Sequence, residues 1–508
     1  MSTPSEKLAE SLEALKKIQE QGDMAIQASN LSRTHRERLI KNGFLQEVIK
    51  GWYIPTSGDD TSGESTTWYA SFWSFCSAYL NKRFANSWCL SPEQSLSLHA
   101  GNWTVPKQLL VRSPKGNNKI TPLLHKTSFF DARYAMPDNN EVETLEGLRV
   151  FSLPSALIAC SPGFFTQNPT DMRTALSLIK DASDVLELLL GKGHSTIAGR
   201  LAGAFRNIDR VRIADEIIKT MSSAGYEIRE TDPFKETPNI NLLNQERSPY
   251  VTRLQIMWQE MRLEVLKHFP KTSRRPTNAQ LYLKQVKEIY VTDAYNSLSI
   301  EGYRVNQELI QRVRTGKWDP NNNGNDKKYI DILTARGYWQ AFNAVEKSLA
   351  KVLKGVNPGK VFDDDHREWY REMFAPCLTA GILKPTDLAG YRRNQVYIRH
   401  SMHVPPNVAA VRDLMPALCE LLKAETSAAV RVVLGHFFFV YIHPYPDGNG
   451  RMGRFLMNVM LAAGAYPWLI IPVEQRKKYM ATLEEASTHQ NITPFCKFLA
   501  DLIERSKN

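Results

Sequence analysis

The stretch His443-Pro444-Tyr445-Pro446-Asp447-Gly448-Asn449-Gly450-Arg451-Met452-Gly453-Arg454 decides the reading of this 508-residue chain. An apolar run, 428–442, ends at His443-Pro444, and a second helical pattern, RMGRFLMNVMLAAG, follows Gly450. Between them, Asp447-Gly448-Asn449-Gly450 predicts a tight turn, because glycine supplies the backbone angles such a turn demands and lets a ligand come close. Main-chain N–H groups of that turn and of the next helical turn then point outward together, an anion-binding nest at a helix N-terminus. Arg451 and Arg454 stand three apart, on one helical face, where both can clamp phosphate oxygens. Asp447 is a carboxylate beside the expected polyphosphate, which suits Mg²⁺ held jointly by protein and phosphates. His443, at a helix end, can take a proton from an attacking hydroxyl near neutral pH. Taken singly, a histidine is more often structural, two arginines are usually a solvated face, and a GNG turn is usually only a turn. Together, within one turn and its two flanking helix ends, they point to phosphoryl chemistry.

The string resembles the signature of the Fic family, His-Pro-Phe-x-Asp/Glu-Gly-Asn-Gly-Arg-x-x-Arg, with Tyr445 where phenylalanine is usual. That aromatic is expected to pack in the core. The resemblance implies His443 as general base, Asp447 as Mg²⁺ ligand, and Gly448, Asn449 and Gly450 on the phosphates, with Arg451 and Arg454 holding the triphosphate tail. A Tyr, Thr or Ser hydroxyl of a protein, the enzyme itself included, would attack the α-phosphorus of ATP, and pyrophosphate would leave. Catalysis would then be mostly positioning and charge stabilisation.

Two further segments resemble parts of that family. Gly390–Ile398, GYRRNQVYI, is similar to the strand before the family's flap, and the alternating QVYIRHSMHVPP that follows predicts a short β-hairpin. Val396, Tyr397, Ile398 and Arg399 would dock the target's backbone as an added strand. Ser297-Leu-Ser-Ile-Glu301-Gly302 resembles the family's inhibitory motif, Ser/Thr-x-x-x-Glu-Gly/Asn, placed ahead of the catalytic core. A Glu301–Arg454 salt bridge would stop that arginine from gripping the γ-phosphate. In some relatives this glutamate orients water to remove AMP, so a deadenylylating or bifunctional enzyme stands as an alternative. Other donors, a choline-bearing nucleotide or UTP, also occur among relatives; the arginine pair and the carboxylate fit a nucleoside triphosphate best.

Further out, the chain reads as mainly α. Residues 240–508 are expected to be an all-α Fic fold, with an inhibitory helix around 290–304, a catalytic core over about 375–490 and the hairpin flap. An α+β region precedes it. Residues 1–57 read as three small helices, one of them near 23–28, and a hairpin turning at Lys50-Gly51, the layout of a winged helix-turn-helix. Arg33, Arg36, Arg38 and Lys41 on the third helix, with Lys50 in the wing, could contact DNA; acidic residues there are about as many as basic ones, so the footprint is local. Polar clusters at 56–66 and 231–239 mark boundaries around a domain at 62–232. NLSRTHRERLIKNGFLQEVIKGWYIP, with later apolar patterns from Leu90 and from Gly147, is similar to type IV antitoxins of the abortive-infection class. That resemblance implies DNA binding, autoregulation or a homodimer platform. A DNA-binding regulator whose C-terminal half senses ATP is therefore the alternative from another class.

The bulk numbers bound these readings. A formal charge of +11 favours anionic partners such as nucleotides, nucleic acid or acidic proteins. Six cysteines stand singly, with no metal-type spacing, which suits a reducing compartment. The polar N-terminal stretch is no signal peptide, and no run of about 18 apolar residues exists, so a cytoplasmic protein without a membrane span is expected.

Overall fold

The computed structural model describes residues 3–20, 25–56, 65–234, 248–271, 278–315 and 329–506, and they divide into two units. The first comprises Met1–Ile256 with Tyr397–Val404, the second Met257–Val396 with Pro405–Asn508.

The first unit opens with α1 (Pro4–Glu20), β1 (Ile26–Gln27), α2 (Arg33–Lys41), β2 (Leu45–Ile49) and β3 (Trp52–Pro55). The strands form an antiparallel sheet in the order β1-β3-β2. Ser32 starts α2 by accepting the His35 N–H at 3.2 Å. The hairpin at Lys50-Gly51 is as expected; the short helix near 23–28 is not. Residues 23 and 24 lie outside the described residues, and Ile26-Gln27 pairs with Tyr53 and Trp52 as strand β1 instead. A segment this short cannot nucleate a helix, whereas one ladder buries Ile26 completely. Most of the polar cluster at 56–66 lies outside the described residues, as does most of that at 231–239. The first 57 residues hold a small core of their own, Leu15, Ile26, Leu31, Leu39, Leu45 and Tyr53, while Ala25, Val48, Trp52 and Ile54 pack with Trp68, Phe72 and Phe75 of the next segment.

That segment runs α3 (Thr66–Phe84), β4 (Cys89–Leu90), α4 (Pro92–His99), β5 (Gln108–Ser113), β6 (Lys119–Pro122), β7 (Ser128–Arg133), β8 (Val142–Leu145) and β9 (Leu148–Phe151). The strands form a sheet in the order β4-β5-β7-β6, with β5 and β7 parallel, and a β8-β9 hairpin. Helices α5 (Leu153–Ala159), α6 (Phe164–Gln167), α7 (Pro169–Ser177), α8 (Ser183–Lys192), α9 (Ser195–Asn207) and α10 (Val211–Ser223) close over a second core. Residues 397–404 join this unit. Val105 donates its N–H to the Met402 carbonyl at 3.2 Å, His400 donates its N–H to Thr66 Oγ1 at 3.0 Å, and Met402 and Val404 pack on the Trp68 core.

The second unit takes up the chain within α11 (Pro249–His268) and continues with α12 (Ala279–Ile300), α13 (Gln307–Arg314), α14 (Tyr329–Leu353), α15 (Pro358–Thr379), α16 (Val408–Ala424), α17 (Ala428–Ile442), α18 (Asn449–Ala463), α19 (Arg476–His489) and α20 (Thr493–Arg505). A helix apolar on every side must be buried on every side, and α17 is: Val432, Val433, Leu434, Phe437, Phe438, Phe439 and Ile442 are fully enclosed. It therefore holds both its own C-terminal histidine and the start of α18 on a rigid base. The expected hairpin over 393–406 forms no paired strands. The chain turns at Arg399–His400, but Pro405 and Pro406 have no N–H to donate, and side chains take the carbonyls of Asn394, Pro405 and Pro406. Among the described residues no helix is long and apolar enough to cross a membrane, and all six cysteines are free and buried.

Candidate active site

His443 ends α17 in the left-handed region, with φ 52° and ψ 59°. Its N–H closes the helix on the Phe439 carbonyl at 3.0 Å. A non-glycine residue in this conformation costs on the order of 1–2 kcal/mol and persists only where its surroundings enforce it. The ring's Nδ1 lies 3.0 Å from the Val440 carbonyl. A carbonyl can only accept, so Nδ1 carries the hydrogen and Nε2 keeps its lone pair. Burial pushes the His443 pKa below the ordinary 6.5, working against the Val440 bond; the Arg392 charge lowers it further, while Glu301 and Asp447 oppose. The imidazole is thus a neutral base at neutral pH.

The turn after His443 is braced by one side chain. Asn449 accepts the Tyr445 N–H at 2.9 Å and donates to the Tyr445 carbonyl at 2.7 Å. Both ends of the Asn449 amide are therefore engaged in shaping the loop, with one Nδ2 hydrogen left over. Tyr445 is buried as expected, stacked on Tyr370 with ring centroids 3.8 Å apart. Gly448 precedes α18 with φ +82°, where a side chain would be strained and would also press on Phe374. With a glycine at the cap, no side chain competes for the first N–H groups of α18. A carboxylate rests there instead: a Cβ built on Gly450 would stand 2.3 Å from Glu301 Oε1.

Both arginines are buried in this corner. Arg454, 5% exposed, donates from Nε to Ser297 Oγ at 2.9 Å and from Nη2 to the Ser297 carbonyl at 3.0 Å and Glu301 Oε1 at 2.6 Å. Burial opposes its charge, but Glu301 more than offsets this and holds the guanidinium protonated. Arg451, 1% exposed, lies between the rings of Tyr303 and Phe374, 5.2 Å from each centroid, and donates from Nη2 to Asp447 Oδ2 at 2.9 Å. Each arginine keeps one buried nitrogen without a partner, Nε of Arg451 and Nη1 of Arg454. Such donors are costly unless a ligand fills them. Two unfilled guanidinium nitrogens beside a helix N-terminus fit an oligophosphate.

The residues also fit a hard cation of limited protein ligation. Among the described residues no group of three or more His, Cys, Asp and Glu could hold a metal ion. Asp447, with its side chain 63% exposed, is the carboxylate on the catalytic turn. Mg²⁺ is commonly bound by one or two carboxylates plus phosphate oxygens and water, so Asp447 would be the protein's share.

The helix that delivers Glu301 is α12. Asn278 caps it by accepting the Leu281 N–H at 3.1 Å, and Tyr282, Val286, Tyr290, Ala294 and Leu298 form its buried stripe. Asp293, fully buried, accepts from Tyr338 at 2.7 Å and Trp468 at 2.9 Å; burial pushes its carboxyl above the usual range, and these bonds pull against that. Arg476 donates to the Ile300 carbonyl at 2.6 Å and so holds the helix end. Gly302 then turns the chain with φ +91° and sends Tyr303 back over Arg451, its hydroxyl 3.4 Å from Asp447 Oδ2.

The structure brings His443, Asp447, Gly448, Asn449, Gly450, Arg451, Arg454, Ser297, Glu301 and Gly302 together in one corner of the second unit. The flap residues divide at the unit boundary: Val396 belongs to the second unit, and Tyr397, Ile398 and Arg399 to the first. In the first unit, Arg36 bonds the Ala28 carbonyl at 2.8 Å, Arg38 bonds Ser11 and the Lys7 carbonyl, and Arg33 pairs with Glu37; Lys41 and Lys50 are exposed. Sequence reasoning missed Tyr303, Phe374 and Arg392, whose Nε donates to the His443 carbonyl at 2.9 Å. Tyr303 follows the Glu301-Gly302 motif directly, a proximity that could have flagged it; nothing local marks Phe374.

Residues 363–461 match the Fic/DOC family. Over 224 residues, 43% of this chain, it is 32% identical to the Protein adenylyltransferase Fic of Drosophila willistoni and 40% identical to that of Drosophila ananassae. It covers 41% of each of those proteins, well under half their length. Among solved structures, Fic-1 (residues 134–508) from C. elegans is 18% identical, covering 67% of this chain and 94% of that one, with a TM-score of 0.36.

Proposed function

Since residues 363–461 are a Fic/DOC domain, we propose that the protein is an adenylyltransferase that moves AMP from ATP to a protein hydroxyl, and that Glu301 restrains it. The observation that carries this reading is the pair of buried guanidinium nitrogens left unfilled at the start of α18, next to a histidine with a free Nε2. The triphosphate would lie along the N–H groups of α18, with Arg451 and Arg454 on its oxygens. The target's hydroxyl oxygen bonds to the α-phosphorus, its proton passes to His443 Nε2, and the bond to the α–β bridging oxygen breaks, releasing pyrophosphate. Mg²⁺, held by Asp447 and the phosphates, would supply charge neutralisation on the leaving group. His443 acts in its neutral form without any preceding proton loss, because its pKa lies below 6.5.

Glu301 competes for this site with its own charge: its carboxylate occupies both a bond of Arg454 and the space against Gly450. That same position supports a second reading, in which Glu301 orients a water to remove AMP. Glu301→Gly separates the two. Labelled AMP from Mg²⁺-ATP should appear on the protein itself or on lysate proteins, more than with the parent, and His443→Ala added to it should remove the label by about two to four orders of magnitude. The rate of Glu301→Gly should be level from pH 8 down to about 6.5 and fall only below, as the imidazole gains a proton. No label from Glu301→Gly under any condition sinks the transfer reading; loss of AMP removal in that variant supports the second. For the first unit, Arg36 and Arg38 are engaged in holding β1 and α1 to α2, so DNA contact would rest on Arg33, Lys41 and Lys50. A gel shift on the protein's own promoter tests it.

A further inference from the structure

One buried arginine stands behind the catalytic loop without touching the reaction site. Arg392 is 3% exposed. Its main-chain N–H donates to the Pro444 carbonyl at 2.9 Å. Its guanidinium reaches three more carbonyls: Nε to His443 at 2.9 Å, Nη1 to Asn394 at 3.2 Å, and Nη2 to Pro406. Gln395 ties the same stretch together, donating to the Pro405 carbonyl at 2.7 Å. Asn394 and Gln395 lie just before residues 397–404, and Pro405 and Pro406 just after. One planar fork therefore fastens both feet of that segment and the carbonyl of the histidine in a left-handed conformation. Only a guanidinium presents enough donors, at fixed angles, to satisfy carbonyls on three separate stretches.

We propose that Arg392 is a positioning residue that fixes the distance and angle between the His443 imidazole and a target held at the feet of residues 397–404. The proposal rests on the adenylyl-transfer reading and adds to it which residue sets the alignment. The carbonyl of His443 is pinned, which holds the left-handed φ against relaxation towards the helical region and keeps Nδ1 on Val440. The buried cation has a second effect. His443 is faced by Arg392, Glu301 and Asp447, and of these Arg392 alone disfavours the imidazolium. A misplacement of about 1 Å at a reacting atom can cost on the order of a hundredfold in rate, so a fork replaced by a single ammonium should be felt in turnover more than in nucleotide binding.

The test uses the full chain carrying Glu301→Gly, with Arg392→Lys or Arg392→Met added. Two quantities are read: incorporation of labelled AMP from Mg²⁺-ATP against ATP affinity by calorimetry, and the titration of the His443 ring by NMR, which needs no turnover. Arg392→Lys keeps the charge and loses the fork. It should lower incorporation by about tenfold or more, leave ATP affinity within about twofold, and leave the His443 midpoint in place. Arg392→Met should lower incorporation similarly and raise the His443 midpoint. The assignment is overturned if Arg392→Lys incorporates label as fast as its parent, or if ATP affinity falls in step with incorporation. If Arg392→Met fails to fold, Arg392→Lys decides through the split between turnover and affinity. If Glu301→Gly itself transfers nothing, the function reading falls, and the His443 midpoint still reports on Arg392: an unmoved midpoint in Arg392→Met overturns its effect on the ring.

Discussion

Each unit of this protein buries an arginine against a carboxylate, and the two pairs are built differently. In the first, Arg253 bonds Asp171, with side chains 3% and 1% exposed, and Asp171 also accepts from Ser97 Oγ at 2.7 Å and Asn102 Nδ2 at 2.9 Å. In the second, Arg454 is as deeply placed, but the Glu301 side chain is 26% exposed and stands at the end of a helix, against the unfilled start of another. Both arginines need an anion. Only the second has one that water can reach and a ligand can replace. Burial of a charge thus marks a site less well than the accessibility of its partner does, since a pair enclosed on both sides is fixed in the fold.

This contrast can be broken by experiment. Asp171→Ala should cost about 3–5 kcal/mol of stability, because it takes the buried carboxylate away from the Arg253 guanidinium and from two further donors; a denaturant midpoint close to the parent's would erase the distinction. Glu301→Ala should cost only about 1 kcal/mol, since solvent or phosphate takes over, while ATP affinity measured by calorimetry rises by about tenfold. A stability loss as large as that of Asp171→Ala would show that the two pairs are the same kind of bond. Ser297→Ala removes one neutral acceptor from Arg454 Nε and should change either quantity least, by about 1 kcal/mol or less.

Legibility in the sequence divides along the same line. His443 to Arg454 is legible because its chemistry is packed into one turn and its two flanking helix ends, where glycine spacing, a base, a carboxylate and two cations constrain one another. Glu301 was legible through its motif, and its bond to Arg454 is formed as expected. The bracing role of the Asn449 side chain was not legible, because its partners, the Tyr445 N–H and carbonyl, are main-chain groups that any residue supplies. Arg392 lies in the quoted GYRRNQVYI segment, but its role was not legible, since its partners are main-chain carbonyls that any residue supplies. The flap's alternating pattern suggested strands, and two prolines with side-chain capture of carbonyls prevented them. In the first unit the turn at Lys50-Gly51 marks the hairpin in the sequence, but no local pattern says that one face of it packs with Trp68, Phe72 and Phe75 of α3.

Glu301 and Tyr303 sit on either side of Gly302, the one on Arg454 and the other over Arg451 and near Asp447. On the reading proposed above, a single residue of backbone would carry two stoppers, one for the far end of a triphosphate and one for the carboxylate that would face its counter-ion. Joined through one glycine, they would be withdrawn together: on that reading, an event that pulls the end of α12 away would uncork both positions in one stroke, and activity should switch on as a step and not by degrees.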